Sequence, residues 1–306
     1  MRIDMTTAAK SEASSTPAKT AVVTGGTSGI GLQTALGLAA QGFEVVVTGR
    51  DRDRGAAAAG AITAAGNRTA TFVPIDHSSQ ADIRRGAGAL RQRLEQLDVL
   101  VNNVGGLYAQ RWETVDGIEA TWAMSHLASV VLTEELLPLL IDSAPARIVN
   151  VSSTAIRYAG KQAPVEPTHE TGRYVGLVVY GQAKLANLVW TFDLSRRLAS
   201  RGVQVFAADP GGAKTDMTDK VTPAMMPQPM KALFPLFRRF GGFKAPEQAA
   251  RSTLHAATSV DLNDRRGLLI TASSKVAKTP AQAIDPARVQ TTVAATQRLI
   301  GAGLES

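Results

Sequence analysis

The chain has 306 residues, 44% of them hydrophobic and 19% charged, with a formal net charge of +7 and no cysteine. That much apolar material can fill one large core. The lack of cysteine excludes disulfides, zinc–thiolate sites and cysteine nucleophiles, and suits a cytoplasmic location. The positive charge invites a nucleic-acid partner, but Arg84/Arg85, Arg91/Arg93, Arg196/Arg197 and Arg265/Arg266 are scattered among acids, and aromatics are only 5%. No basic stripe with stacking rings is present, so no nucleic acid is expected.

Residues 1–18 are rich in Ser, Thr, Ala and Lys without an apolar run, which reads as a disordered tail rather than a signal peptide. No stretch approaches the roughly 20 uninterrupted apolar residues of a membrane span, so a soluble chain is expected. Short β-branched runs at Thr20–Thr24, Glu44–Thr48, Thr69–Pro74, Leu97–Asn102, Arg147–Ser152 and Val203–Ala208 predict buried strands. Segments with helical spacing lie between them, among them Gly31–Gln41, Ala81–Gln96, Gly117–Ile141 and Gln182–Ser200. This alternation predicts an α/β fold, a single Rossmann-type doubly wound parallel sheet with helices on both faces, spanning 19–306. Residues 214–244 break the pattern with Met, Pro and Phe. They read as an irregular loop serving as a mobile apolar lid over a lipophilic substrate. A weaker reading is a membrane-touching patch, because Lys231, Arg238 and Arg239 flank the aromatics.

Three sets of residues carry chemistry. The first is Thr24-Gly25-Gly26-Thr27-Ser28-Gly29-Ile30-Gly31, which follows a strand and opens a helix. Gly25 permits a tight turn, Gly29 allows a pyrophosphate close to the backbone, and Gly31 lets the helix pack on the sheet. The stretch from Gly25 through Thr27, Ser28, Ile30 and Gly31 is therefore a dinucleotide cradle. At the end of the second strand stands Gly49-Arg50, where a cofactor lacking the 2′-phosphate usually meets an acid. The Arg50 guanidinium suits a 2′-phosphate, which favours NADP(H). Asp76 could accept from the adenine amino group, or simply cap its loop.

The second set is Tyr180 and Lys184, four residues apart on one helix face. A cation beside the phenol is expected to lower its pKa into the working range. The third is Ser152-Ser153, at the strand end just before that helix, where ligands bind in open α/β sheets.

Together these residues resemble the short-chain dehydrogenase/reductase family, closest to its retinol-dehydrogenase-like branch. The resemblance runs from about Lys19 onward and includes Asn102-Asn103-Val104-Gly105, Asp116-Gly117, Tyr180–Asn187 and Asp209-Pro210-Gly211-Gly212. It implies that Ser153 orients the substrate oxygen, Tyr180 is the acid/base, and Lys184 binds the nicotinamide ribose. It implies cofactor contacts at Asn103, Pro210 and Gly211, with Thr215 holding the carboxamide. A homodimer or homotetramer, paired through the helices at Gly117–Ile141 and Gln182–Ser200, is implied in the same way.

Two departures stand out: Val104 replaces the family's alanine, and Ser125 replaces a catalytic asparagine that holds a relay water. Serine has one donor hydrogen and a shorter reach. The relay could therefore be altered or repurposed. The insert between Ser153 and Tyr180 includes Pro164, Pro167, His169 and Tyr174 and is expected to overhang the site. His126 reads as a packed helix residue, and no metal-ligand spacing appears among the histidines. The expected activity is an NADP(H)-dependent oxidoreductase, a carbonyl reductase or alcohol dehydrogenase. The alternatives are a non-redox step on the same fold (cyclisation, isomerisation or dehydration) and a silent NADP(H)-binding module.

Overall fold

A computed structural model describes residues 18–161, 173–228, 230–240 and 242–302. The tail up to residue 17 and residues 162–172, the part of the insert that carries Pro164, Pro167 and His169, lie outside the described residues. In chain order the structure runs β1 (Thr20–Thr24), α1 (Gly29–Ala40), β2 (Glu44–Gly49), α2 (Arg52–Ala65), β3 (Thr71–Pro74), α3 (Gln80–Arg93) and β4 (Val99–Asn102). There follow α4 (Ala120–Trp122), a π-helical turn (Ala123–Leu127), α5 (Ala128–Asp142), β5 (Ala146–Val151), α6 (Gly176–Arg197) and β6 (Val203–Ala208). The C-terminal part holds α7 (Asp216–Asp219), α8 (Met230–Phe240), α9 (Pro246–Thr258), β7 (Leu268–Ile270), α10 (Ala281–Ile284) and α11 (Pro286–Ala302).

The seven strands form one parallel sheet in the order β3-β2-β1-β4-β5-β6-β7. Strand alternation divides the core into two layers. Val22, Val46, Leu100, Ile148 and Val205 face α3, α5 and α6, where they meet Leu90, Leu132, Leu136 and Trp190. Their neighbours Val23, Val45, Val47, Val101, Val149 and Phe206 face the other way, toward Leu38, Ile62 and Ala256 of α1, α2 and α9. Burial on both faces explains why the strands read as continuous β-branched runs. The chain order reverses between β1 and β4, and the carboxyl ends of the strands at such a switch point are where open α/β sheets bind ligands.

The structure differs from the sequence expectations in several places, among them α6, which starts at Gly176 rather than Gln182. β3 starts at Thr71 rather than Thr69, because the Ala70 N–H donates to Thr63 Oγ1 (2.9 Å) instead of joining a ladder. β4 starts at Val99, since the Leu97 N–H donates to Ser143 Oγ (2.8 Å). A seventh strand, β7, pairs with β6 where no strand was expected. Residues 214–244 are not an irregular loop, because α7 and α8 form inside them. Ala120–Asp142 is one continuous 23-residue helix, apolar enough by length and composition to cross a membrane. Here Leu132, Leu136 and Leu140 bury it in the core.

Candidate active site

The turn after β1 is shaped by contacts that only glycine allows. Gly25 and Gly29 have φ of 62° and 53°, in the left-handed region. A Cβ on Gly31 would lie 2.3 Å from Gly25 O and 2.5 Å from Asn103 Nδ2. Asn103 in turn laces the β4 loop to this turn. Its Nδ2 donates to Thr24 O (2.9 Å), while Thr24 Oγ1 accepts from the N–H groups of Asn103 (2.8 Å) and Val104 (3.1 Å). Ser28 is the N-cap of α1, yet no side chain caps the helix start and its first turn holds no acid. The free N–H groups there, with the positive end of the helix dipole, form an anion cradle at the crevice. This donor set fits a dinucleotide pyrophosphate.

Arg50 follows β2 and is exposed, and Thr27 lies close by, its Cγ2 3.1 Å from the place a Cβ on Gly49 would take. Burial pushes the Asp76 carboxyl up, but hydrogen bonds from the Ser78 amide and hydroxyl and the Arg50 charge outweigh it. The group ends below its ordinary range. Asp76 Oδ1 accepts from Ser78 N (2.9 Å) and Ser78 Oγ (2.7 Å), so it caps its own loop.

Across the crevice, β5 ends at Val151 and Ser153 starts a 3-10 turn over Thr154–Tyr158, its Oγ accepting from Ala155 N (3.1 Å). Helix α6 can approach this turn only because residue 181 is glycine. A Cβ there would sit 2.5 Å from Ala155 O. That approach brings the Tyr180 phenol into a hydrogen bond with Ser153. One turn further along α6, the Lys184 Nζ donates to Val151 O (2.8 Å) and lies 5.9 Å from the centre of the Tyr180 ring.

The electrostatics correct one expectation. Burial pushes the Tyr180 phenol up to about 12, with the Ser153 hydrogen bond working against it and the Asp209 charge adding to it. Burial also brings the Lys184 ammonium down to about 8, still charged at neutral pH, and one of its hydrogens is directed at Val151 O. Tyr180 is thus held as a proton donor at neutral pH.

Ser125 lies in the π-helical turn, fully buried. Its Oγ accepts from Gly106 N (3.0 Å) and donates to Gly106 O (3.1 Å), so its single hydrogen is spent on the backbone. The hydroxyl is a clamp on the β4 loop, and it cannot also donate to a relay water. Lys184 Nζ and Ser125 Oγ each lie 3.5 Å from where a Cβ on Gly105 would be, so both line the same glycine. His126 is buried, with Nε2 bonded to Thr296 Oγ1 (2.7 Å) and its ring edge-on to Trp122. Burial, helped by the Lys184 charge, lowers it to about 3, and it stays neutral.

The loop after β6 closes the third side. Gly211, with φ of 72°, gives its N–H to Asp209 Oδ1 (2.8 Å), and Pro210 precedes it. Thr215 caps α7, and its Cγ2 lies 3.3 Å from where a Cβ on Gly29 would be, beside the glycine turn. Met225, Met226 and Phe234 form a buried cluster with Leu107, Leu177, Val221 and Met230. Leu177 is three residues before Tyr180 on α6, so this cover lies over the phenol's face of the helix.

Sequence reasoning missed Gly181, Leu107, Leu177 and a buried latch in which Tyr174 Oη donates to Glu119 Oε1 (3.0 Å). Glu119 also accepts from Thr121 N (2.9 Å) and Trp122 N (2.8 Å), fixing the start of α4. Gly181 stands inside the Tyr-x-x-x-Lys stretch and was the one of these with a readable signal.

Comparison with known proteins agrees with this geometry. The family model for short chain dehydrogenase matches residues 19–225. Human (Homo sapiens) retinol dehydrogenase 13 is 34% identical over 286 residues, covering 93% of this chain and 85% of the relative. Retinol dehydrogenase 12 of Mus musculus is 35% identical over 257 residues, covering 82% and 77%. Among solved structures, an uncharacterized protein from Mycobacterium paratuberculosis superposes with a TM-score of 0.69 at 28% identity, covering 92% of this chain and 93% of that one. The Pseudomonas aeruginosa RhlG/NADP active-site complex gives 0.64 at 30% identity, covering 83% and 94%. With the glycine turn, the serine and the Tyr180/Lys184 pair at one strand edge, the chain belongs to the short chain dehydrogenase family, in its retinol-dehydrogenase-like branch.

Proposed function

We propose that the protein is an NADP(H)-dependent oxidoreductase that interconverts a lipophilic alcohol and its aldehyde or ketone. The observation that carries this reading is the Tyr180 phenol, hydrogen-bonded to Ser153 with the Lys184 ammonium one helical turn away. The bound cofactor supplies the hydride in one direction and takes it up in the other. In reduction, Ser153 holds the carbonyl oxygen and Tyr180 gives it a proton as the oxygen gains charge. The buried Lys184 ammonium offsets the negative charge left on the phenolate. In oxidation the phenolate takes the alcohol proton back.

The turn of Gly25, Thr27, Ser28, Gly29, Ile30 and Gly31 would hold the pyrophosphate, with Arg50 on the 2′-phosphate and Asp76, Asn103, Pro210, Gly211 and Thr215 along the rest of the cofactor. The NADP in the active site of the RhlG complex supports the choice of cofactor. The names of the retinol dehydrogenases support a lipophilic substrate, as does the apolar cover of Leu107, Leu177, Met225, Met226 and Phe234.

The test measures NADPH and NADH consumption against lipophilic aldehydes and ketones, with Tyr180→Phe beside the parent. NADPH should be consumed in preference to NADH. Tyr180→Phe should keep NADPH binding and lose on the order of 10²–10⁴ in kcat/KM. Full activity in Tyr180→Phe would remove the phenol from the mechanism.

A further inference from the structure

One buried polar pair stands in an otherwise apolar layer, at the ends of β2 and β3. Alternation along β2 turns Val46 and Thr48 to the same face, and Val46 packs there among Val73, Ile75 and Ile83. Thr48 is fully buried, and its Oγ1 shares a hydrogen bond with Nε2 of the buried His77 (2.8 Å). Burial brings the imidazole down to about 4, against the raising pull of the Asp76 and Asp82 charges, so the ring is neutral at neutral pH. Neither residue enters the mechanism proposed above.

Stability does not call for such a pair. Setting a hydroxyl and an imidazole among valines and isoleucines takes both out of water, and their one shared bond only offsets that loss. Two apolar side chains of matching shape would serve the core as well. What the pair adds is direction, because a hydrogen bond fixes the distance between the two loops that carry it. Thr48 leads into Gly49-Arg50, and His77 directly follows Asp76. The loop of Asp76 is itself well anchored: Asp76 N donates to Asp82 Oδ2 (2.6 Å), and Ser79 N donates to Asp76 O (3.2 Å). The last backbone bond between the two loops runs from Ile75 N to Gly49 O (2.9 Å). The Thr48–His77 contact ties them again, side chain to side chain.

This tie matters for charge. Arg50 is exposed, and its guanidinium acts on the Asp76 carboxylate. A guanidinium drawn onto that carboxylate is withdrawn from any phosphate, since both compete for the same donors. We propose that the Thr48–His77 pair is a positioning device for cofactor choice, holding Arg50 clear of Asp76 and open to the 2′-phosphate of the adenosine ribose. This role rests on the NADP(H) reading above but not on the reaction that follows.

The experiment titrates the full chain with NADPH and with NADH, followed by nicotinamide fluorescence, and reads the ratio of the two Kd values beside the melting temperature. The central variant is Thr48→Val/His77→Leu, which keeps two buried side chains of similar shape and removes the bond. It should melt near the parent, bind NADH as the parent does, and bind NADPH about tenfold more weakly. His77→Gln, whose amide can still bond the Thr48 hydroxyl, should keep most of the parent's ratio. A parent that binds the two cofactors alike would overturn the cofactor reading and this role together. A parent that prefers NADPH, beside a double variant with the same ratio, would overturn this role alone. So would a double variant weakened equally toward both cofactors, because that loss belongs to the fold and not to the 2′-phosphate. Should the double variant melt too low to titrate, Thr48→Val alone decides by the same ratio, and an unchanged ratio there overturns the role.

Discussion

The two walls of the cleft are built under different constraints. On the β1–β5 wall, identity is dictated by backbone approach: Gly31 against Gly25 O, Gly181 against Ala155 O, Asn103 laced to Thr24. On the α7–α8 wall, side chains such as Met225, Met226 and Phe234 pack into a buried apolar cluster. A backbone contact admits one residue type, whereas an apolar pocket admits several of similar volume. The first wall therefore leaves a motif in the sequence, and the second leaves only a composition.

The harshest challenge to this contrast is Gly31→Ala. A Cβ 2.3 Å from Gly25 O must displace the turn or α1. NADPH binding, followed by fluorescence titration, should be lost, with about 1–3 kcal/mol of stability lost in thermal melting. An alanine variant that bound NADPH like the parent would remove backbone approach as the constraint on this wall.

A pH profile tests the same wall with a milder effect. Burial brings Lys184 to about 8, so its ammonium is charged below that pH and lost above it. Tyr180, raised to about 12, remains a donor throughout this range. The kcat/KM for carbonyl reduction should be level near neutrality and fall about tenfold per unit well above pH 8. A profile level to pH 10 would mean that the ammonium is not needed.

The smallest effect belongs to the other wall. Met226→Leu keeps both volume and apolarity, so it should cost less than about 1.5 kcal/mol in stability and shift KM while leaving kcat nearly unchanged. A large fall in kcat would show that this wall, too, depends on one residue type.

What the sequence disclosed follows this division. The parallel sheet was legible because β-branched runs alternate with helical spacing. The residues from Gly25 to Gly31, with Ser153, Tyr180 and Lys184, were legible because few residue types satisfy their spacing. β7 was not, since three residues, Leu268–Ile270, give no period to read. Nor was α8, where Pro235 inside the run points to a loop although the helix continues through it. The raised Tyr180 pKa and the engagement of Ser125 with Gly106 depend on burial and on contacts across 19 residues or more, which spacing within one helix does not reveal.

The π-helical turn at Ala123–Leu127 acts as a phase adapter. On one side, the helix start is pinned by Glu119 and Tyr174. On the other, α5 is pinned by Leu132, Leu136 and Leu140 in the core. Each residue of a regular helix turns the chain by about 100°, and the wider turn absorbs one residue's worth of mismatch between those two anchors. Loss of a single residue here would leave the helix regular and still buried, yet swing Ser125 off Gly106. The length of this segment, as much as the identity of its side chains, is what holds the β4 loop beside Lys184.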